Sequence, residues 1–518
     1  MPPRFDQVRH REWQANISDW TVAWDVYRGG RHVLRPGRSV GRFRFLRQTS
    51  EAGVTTPAEA ARTQTPFDFA ANTFSYLQPF VRETPNEFSD RASRAVHYPV
   101  FRHVSDIYVT ATLRTPPKRG DGTAKPEPWQ SYWRDVDLAG TNVDPFWSTA
   151  LTTALVYGKA LVVTDKPRFP TEATTRAEQL DRGERAYSYI VAPTQLVDWL
   201  LDRNGRFIWA VLREDMPEER SPGEDQPDRA CRYRVWHPDR WELFEAVTVD
   251  GVAHSQSEWK LVATGAHSVG EVPIAVLYAR RGYESRRTLE SDGVLSDLVD
   301  IDRAIFNHLS ELFSQMTAQA FGQLFLPVDD ASQVPNIETG VHRYVGYHAE
   351  FGQPLMLGPD AAVLKFKESF IASMIAIARQ LSNVSRGRAE FSKEERSAAT
   401  LSLESQDKNN VVASLAAQTE EADRSTAKHV AAYEGVAEDA IPQAHYSRDV
   451  SLKALQQQLN DATSLDKLSV PIDAMVELLK PLYVRAMREA GQDHDAIERG
   501  LKAFEGMKEV ARVEAVAA

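Results

Sequence analysis

The sequence predicts an α+β protein, and three observations carry that prediction. Apolar residues recur every three or four positions over 288–318 and again over 367–381, the spacing of one face of a helix. Between 159 and 277 the pattern changes to short β-branched and aromatic runs separated by polar loops, which reads as an antiparallel sheet. The chain has 518 residues, of which 42% are hydrophobic and 26% charged, an ordinary soluble composition with room for more than one domain.

The first 48 residues hold ten arginines against four acids, a balance of +6, so the overall charge of −11 leaves −17 on the remainder. Trp13, Ile17, Trp20, Trp24 and Tyr27 recur at helical spacing and predict an amphipathic helix that ends before the turn at Arg35-Pro36-Gly37. Arginines interleaved with aromatics could contact nucleic acid. The plainer reading docks the aromatic face on the protein and leaves the arginines in water.

Residues 66–114 read as helices, with Phe67, Phe69, Phe74, Leu77 and Phe80 as one stripe and Val104, Ile107, Tyr108 and Ala111 as another. After a Pro/Gly-rich loop at 115–128, a helix from Pro145 to Tyr157 should stop at Gly158, where a left-handed cap suits glycine. Strands are expected at Ala160–Thr164, Tyr187–Val191, Phe207–Leu212, Cys231–Trp236, Trp241–Phe244 and Val272–Leu277.

The helix over 288–318 carries Val294, Leu298, Ile301, Ile305, Leu309, Leu312 and Met316 as its stripe. Asp292, Asp297, Asp300, Asp302 and Glu311 fall largely off that stripe, and from Glu284 to Met316 seven acids face three bases. A strand-rich insert follows, with strands expected at Leu324–Leu326, Val341–Val345 and Ala362–Phe366. A second helix over 367–381 uses Phe370, Ile371, Met374, Ile375 and Ala378. The polar stretch 382–392 should break it, and a long Ala/Ser-rich helix should span Lys393 to Tyr433. Ala444–Val450 reads as a returning strand, and the remainder as helical.

Several function classes fall on composition. The negative balance argues against a nucleic-acid coat protein, which is normally basic. Cys231 is the single cysteine, so no intrachain disulfide is expected, and a strand position explains it better than a nucleophile. The first residues, Met1 to Asp6, lack a secretory apolar core, and the densest apolar run, Phe370–Ala378, is about half of a membrane span. No membrane association, cofactor or metal is expected.

Phosphate-loop, zinc-protease and serine-hydrolase motifs are missing; Gly158-Lys159 lacks the upstream glycine and the following hydroxyl of a phosphate loop. One enzyme-like pattern survives. Asp239, Glu258 and Lys260 could form a Mg²⁺ nuclease core, with two acids holding the metal and the lysine stabilising hydroxide. Pro238-Asp239 between Trp236 and Trp241 also reads as a plain hairpin turn. A helical scaffold without catalysis is the other alternative.

The order of parts, with local signatures, resembles the portal proteins of tailed bacteriophages. Trp133-Arg-Asp-Val-Asp-Leu-Ala-Gly140 and Val156–Pro167 resemble the wing, and Glu271–Leu277 leading into Leu298-Val-Asp-Ile-Asp302 resembles the approach to the stem. The resemblance covers about 60–450. It implies a portal-like fold: an α/β wing over 1–287, stem helices at 288–318 and 367–383 bracketing a β-rich clip at 319–366, and a tunnel loop at 384–397. It places a long helix and the rest of the wing at 398–450, and a helical crown at 451–518.

Function by resemblance follows. The chain would form a homo-oligomeric ring, usually of twelve, at one capsid vertex of a virion assembled in bacterial cytoplasm. Double-stranded DNA would pass through it, and terminase large subunit, head–tail adaptor, major capsid and scaffolding proteins would be partners; it would not be an enzyme. Arg386, Arg388, Lys393 and Arg396 become the tunnel-loop DNA contacts, and Asp292, Asp297, Asp300 and Glu311 the acidic channel lining. Leu324, Phe325, Leu326, Arg343 and Tyr344 become clip contacts, with the two clip strands pairing across subunits. An acidic wall with sparse positive contacts suits sliding, because each cation on a phosphate adds counterion-release affinity.

Overall fold

We describe a computed structural model. It covers residues 5, 8–34, 76–79, 83, 85–120, 127–167, 178–179, 182–215, 231–246, 259–282, 288–291, 293–320, 323–328, 344–348, 355–357, 361–382, 398–448 and 501–502. The chain divides into two units, Met1–Asp449 and Val450–Ala518. The second unit contains the expected crown, which lies almost wholly outside the described residues.

Helix α1, Arg11–Arg28, docks by its aromatic face: Ile17 and Trp20 are buried, while Trp13, Trp24 and Tyr27 are half-buried. Trp13 Nε1 donates to the Thr194 carbonyl at 3.0 Å, so the aromatic side is spent on the protein. Short helix α2, Arg31–Leu34, follows, then α3, Pro85–Arg94, and α4, Val100–Thr112. The stripe expected at 67–74 lies outside the described residues; Leu77 is fully buried. β1 is Lys118–Arg119 and α5 is Trp129–Arg134.

α6, Val143–Tyr157, ends at Gly158 with φ 85°, the left-handed cap that lets β2, Lys159–Asp165, start at once. All seven residues of β2 are buried. It is central in an antiparallel sheet between β3, Tyr187–Val191, and β9, Ile274–Tyr278. A continuous β-branched and leucine run suits a strand covered on both faces.

The second sheet is a meander in sequential order: β4, Leu196–Leu201; β5, Phe207–Asp215; β6, Cys231–Trp236; β7, Arg240–Ala246; and β8, Trp259–Ala266. Leu161, Val163, Trp199, Leu212, Trp236 and Ile274 form one core cluster shared by both sheets. Tyr233, on the other face of β6, packs with Phe5 and Trp259. β4 and β8 were not anticipated. Leu196–Leu201 alternates poorly because a bulge interrupts its pairing with β5, and β8 carries its own register shift against β7.

Helix α7 spans Ser296–Ala320, so the expected helix starts eight residues late. Residues 288–291 instead form an extended segment in which Ser291 bridges Arg281. β10, Gln323–Val328, β11, Tyr344–His348, and β12, Leu355–Leu357, make a small sheet. Helix α8 spans Ala361–Leu381, which corrects the strand expected at 362–366. A five-residue apolar run cannot separate strand from helix by period, and no breaker lies between Ala361 and Leu381. The bounds 319–366 and 367–383 shift accordingly.

Helix α9, Ala398–Glu434, packs its C-terminal half on β2 and β9, and β13, Ala444–His445, pairs with β1. Asp423 of α9 accepts from Tyr446 at 2.9 Å and pairs with Arg119 at 3.4 Å. Glu434 accepts from the Ala186 amide at 2.8 Å and pairs with Lys166 at 3.1 Å. The helix is thus fastened to the body by acids at both its middle and its end.

Candidate functional site

α7 and α8 form an antiparallel pair that leaves the body. His308 packs edge-on to Phe370 with ring centroids 5.2 Å apart, and Glu311 meets Lys367 at 3.0 Å. As one helix number rises the other falls. Burial raises the Glu311 carboxyl, but Lys367 and His308 outweigh it and hold it below the usual range.

The base of α7 is embedded. Asp302 is fully buried, accepts from the Phe101 amide at 2.8 Å and meets His97 Nε2 at 2.6 Å. Pro99 offers α4 no capping side chain, so a carboxylate from α7 satisfies an orphan amide in its first turn. Asn307 bonds the Tyr76 carbonyl at 3.0 Å, and Arg91 reaches Ser310 at 3.1 Å. The far end of α8 is rooted by Tyr108, whose hydroxyl donates to the Ser382 carbonyl. Burial pushes the Tyr108 hydroxyl up to about 12.

Past this base the apolar rows continue, largely exposed among the described residues. On α7, Leu298, Asp302 and Ile305 are buried and Leu309 half-buried, while Phe313 and Met316 on the same row are exposed. On α8, Ile371 and Ala378 are buried, but Val363, Phe366, Phe370, Ile377 and Leu381 are 42–67% exposed. Their spacings of three, four, seven and four residues form one straight seam, close to a 3.5-residue repeat. The expected stripe of α8 mixed two rows: Ile371 and Ala378 face inward, and Phe370 belongs to the outward seam.

Of the four acids expected to line a channel, Asp297, Asp300 and Glu311 lie among the described residues. Asp297 and Asp300 are exposed, with Arg303 on Asp300 at 3.2 Å. Glu311 is half-buried and tied to Lys367 and His308, so its charge is offset within the pair. Asp302 is withdrawn into the base entirely. Asp292 lies outside the described residues, as do the four tunnel-loop cations Arg386, Arg388, Lys393 and Arg396, and Arg343.

β10 is the centre of its sheet, so the two expected clip strands pair with each other within one chain. Leu324 pairs with Tyr344 and Phe325 with Val345 in a parallel ladder of the same chain. On the other side Leu324 pairs with Met356 and Phe325 with Leu355 of β12. Main-chain groups of Leu324 and Phe325 are therefore engaged on both sides.

The nuclease pattern does not assemble. Asp239 sits in the β6–β7 turn, and Lys260 pairs with Glu245 near the other end of β7. Six residues of strand separate those positions, roughly 20 Å at the usual rise. Glu258 lies outside the described residues. Cys231 opens β6 as a strand residue. Among the described residues no three His, Cys, Asp or Glu side chains group as metal ligands, and no helix is long and apolar enough to cross a membrane.

No known family's sequence profile matches the chain, and no curated protein matches it. Solved structures similar in fold include one titled a virion of a native gene transfer agent particle, at 11% identity and TM-score 0.37, covering 74% of this chain and 90% of that one. Another is titled the neck of that native particle computed with C12 symmetry, at 12% identity and TM-score 0.38, covering 74% and 89%. A third is titled the neck of the empty particle computed with C6 symmetry, at 13% and 0.33, covering 71% and 84%. At these values the likeness is loose and bears no functional weight.

Proposed function

We propose that the chain is the portal subunit of a tailed-phage-like particle. Copies close into a ring, twelve by the family habit, at one vertex of the capsid in the virion. Double-stranded DNA passes through the ring, and terminase large subunit and then the head–tail adaptor dock on its protruding end. Major capsid and scaffolding proteins surround it during assembly in the host cytoplasm. The reading assigns the chain no reaction of its own.

The observation that carries this reading is the exposed apolar seam on the α7–α8 pair, which bears a small sheet between its two helices. Seven large apolar side chains in rows on one helix pair support a protein contact there. A contact between two different faces of identical chains propagates, and it closes when the rotation per subunit divides a circle. Residues 296–320 and 361–381 then become the stem helices and 323–357 the clip. Leu324, Phe325, Leu326, Arg343 and Tyr344 remain clip candidates for terminase or adaptor through side chains rather than strand pairing.

Native mass spectrometry and negative-stain imaging of the purified chain test the reading. A closed ring with an axial hole is expected; a monomer or dimer at high concentration overturns it. Arg386, Arg388, Lys393 and Arg396 are assigned to phosphate contact inside the ring. Changing Arg386 and Arg388 together to Glu should lower DNA packaging or retention while rings still form, and normally filled heads would overturn that assignment.

A further inference from the structure

Gly158-Lys159, which fails as a phosphate loop, marks a place where α1, the sheet and the approach to α7 meet. Lys159 is a lysine with 1% of its side chain exposed. Its ammonium reaches the Glu12 carboxylate of α1 and donates to the Leu289 carbonyl at 2.6 Å. The faces of Trp20 and Trp199 lie 5.3 and 5.9 Å from it. Glu12 closes the circuit, because its second oxygen accepts from the Leu289 amide at 3.2 Å. Both main-chain groups of Leu289, seven residues before α7, are therefore held by one ion pair.

Two further contacts hold the same segment. A Cβ on Gly158 would fall 2.7 Å from Ser291 Oγ and 3.3 Å from its carbonyl oxygen, at a φ already in the left-handed region. Gly282 lies under Glu290 in the same way, with a Cβ there falling 2.9 Å from the Glu290 carbonyl oxygen. The chain segment that launches α7 thus lies in a slot cut to backbone width.

A buried ion pair is a poor way to gain stability alone, since matched apolar side chains often do as well or better. What such a pair supplies is register: Glu12 can satisfy Lys159 and Leu289 together only when α1 sits in one position. Around it, His10 stacks on Trp199 with centroids 3.8 Å apart and its amide donates to the Val197 carbonyl at 3.0 Å, so α1 enters the slot from the β4 edge.

We infer that Glu12 makes α1 a latch on the launch segment of α7: the Leu289 amide keeps its carboxylate acceptor only while α1 is docked. Undocking α1 removes the carboxylate partner of Lys159 and frees the Leu289 amide, so the N-terminal helix and the direction of the α7–α8 pair are coupled. The inference goes beyond the portal reading and stands or falls apart from it.

The test compares three full-length variants, Glu12→Ala, Lys159→Met and the apolar double Glu12→Leu/Lys159→Met, by thermal unfolding and hydrogen exchange. Each single variant should speed exchange in peptides spanning 288–298 by about tenfold or more relative to peptides of β6. The double variant should recover much of the lost unfolding temperature while 288–298 stays unprotected, because no side chain then bonds Leu289. Recovery of both quantities in the double variant, or equal loss of protection at β6 and at 288–298 in the singles, would show a mere stabiliser and overturn the latch.

Discussion

β2 and α8 contain similar proportions of large apolar residues and use them oppositely. In β2 every side chain is covered, and even Lys159 and Asp165 at its ends are buried against Glu12 and Arg234. In α8 two positions, Ile371 and Ala378, are buried, while Phe366 stands 67% exposed. Around β2 the body satisfies itself: the strand's apolar side chains are covered within one chain and its two buried charges have partners. The helix pair instead carries apolar rows of matching period that face water, as half of the proposed interface would. A chain that folds alone and assembles afterwards should look like this, because the body must be stable before the seam finds its partner.

That contrast can be broken at either end. The largest effect is expected from Leu161→Ala in β2, which should destabilise the monomer by about 3 kcal/mol in a denaturant titration. The double change Phe366→Glu and Ile377→Glu should leave that unfolding midpoint almost unmoved and abolish higher assembly by native mass spectrometry. If the seam variant unfolds as readily as the β2 variant, the two regions are one cooperative core and the contrast is wrong.

Asp302→Ala tests the joint between the regions. It removes the trans cap of α4 and leaves His97 buried without its partner, and should cost about 2 kcal/mol of monomer stability. A loss confined to assembly, with the monomer unchanged, would move Asp302 from the body to the interface.

The smallest effect concerns pH. Glu311 is held below the usual carboxylate range, so its folded form binds its proton less readily than the unfolded chain does. Its contribution is therefore fully present above the ordinary glutamate value and is lost as pH falls through the lowered one. Exchange in the first turns of α8 should quicken over that acid window, and Glu311→Gln should flatten the response. An unchanged acid response in Glu311→Gln would assign the effect to another carboxylate.

Much of the body was legible because local and tertiary signals agree there. Ala160–Val163 and Tyr187–Val191 are β-branched or aromatic runs between polar loops, and Gly158 announces the helix end before β2. β4 and β8 were not legible, since register shifts break the alternation that marks a strand. At the site, periodicity located the apolar residues of α8 but mixed two rows, because a period cannot say which row its own chain covers. Asp302 and Glu311 looked like surface acids for the same reason: charge in sequence carries no information on burial or on a partner tens or hundreds of residues away.

Taken by itself, the sequence determined what local chemistry dictates: an α+β chain, a helix pair around a short strand insert, and an aromatic helix near the start. The tertiary structure alone decided which side of each helix is covered, that β10 takes both its neighbours from its own chain, and that Gly158-Lys159 grips the approach to α7. Those outcomes depend on contacts between residues far apart in the chain, where spacing has no reach and only packing chooses.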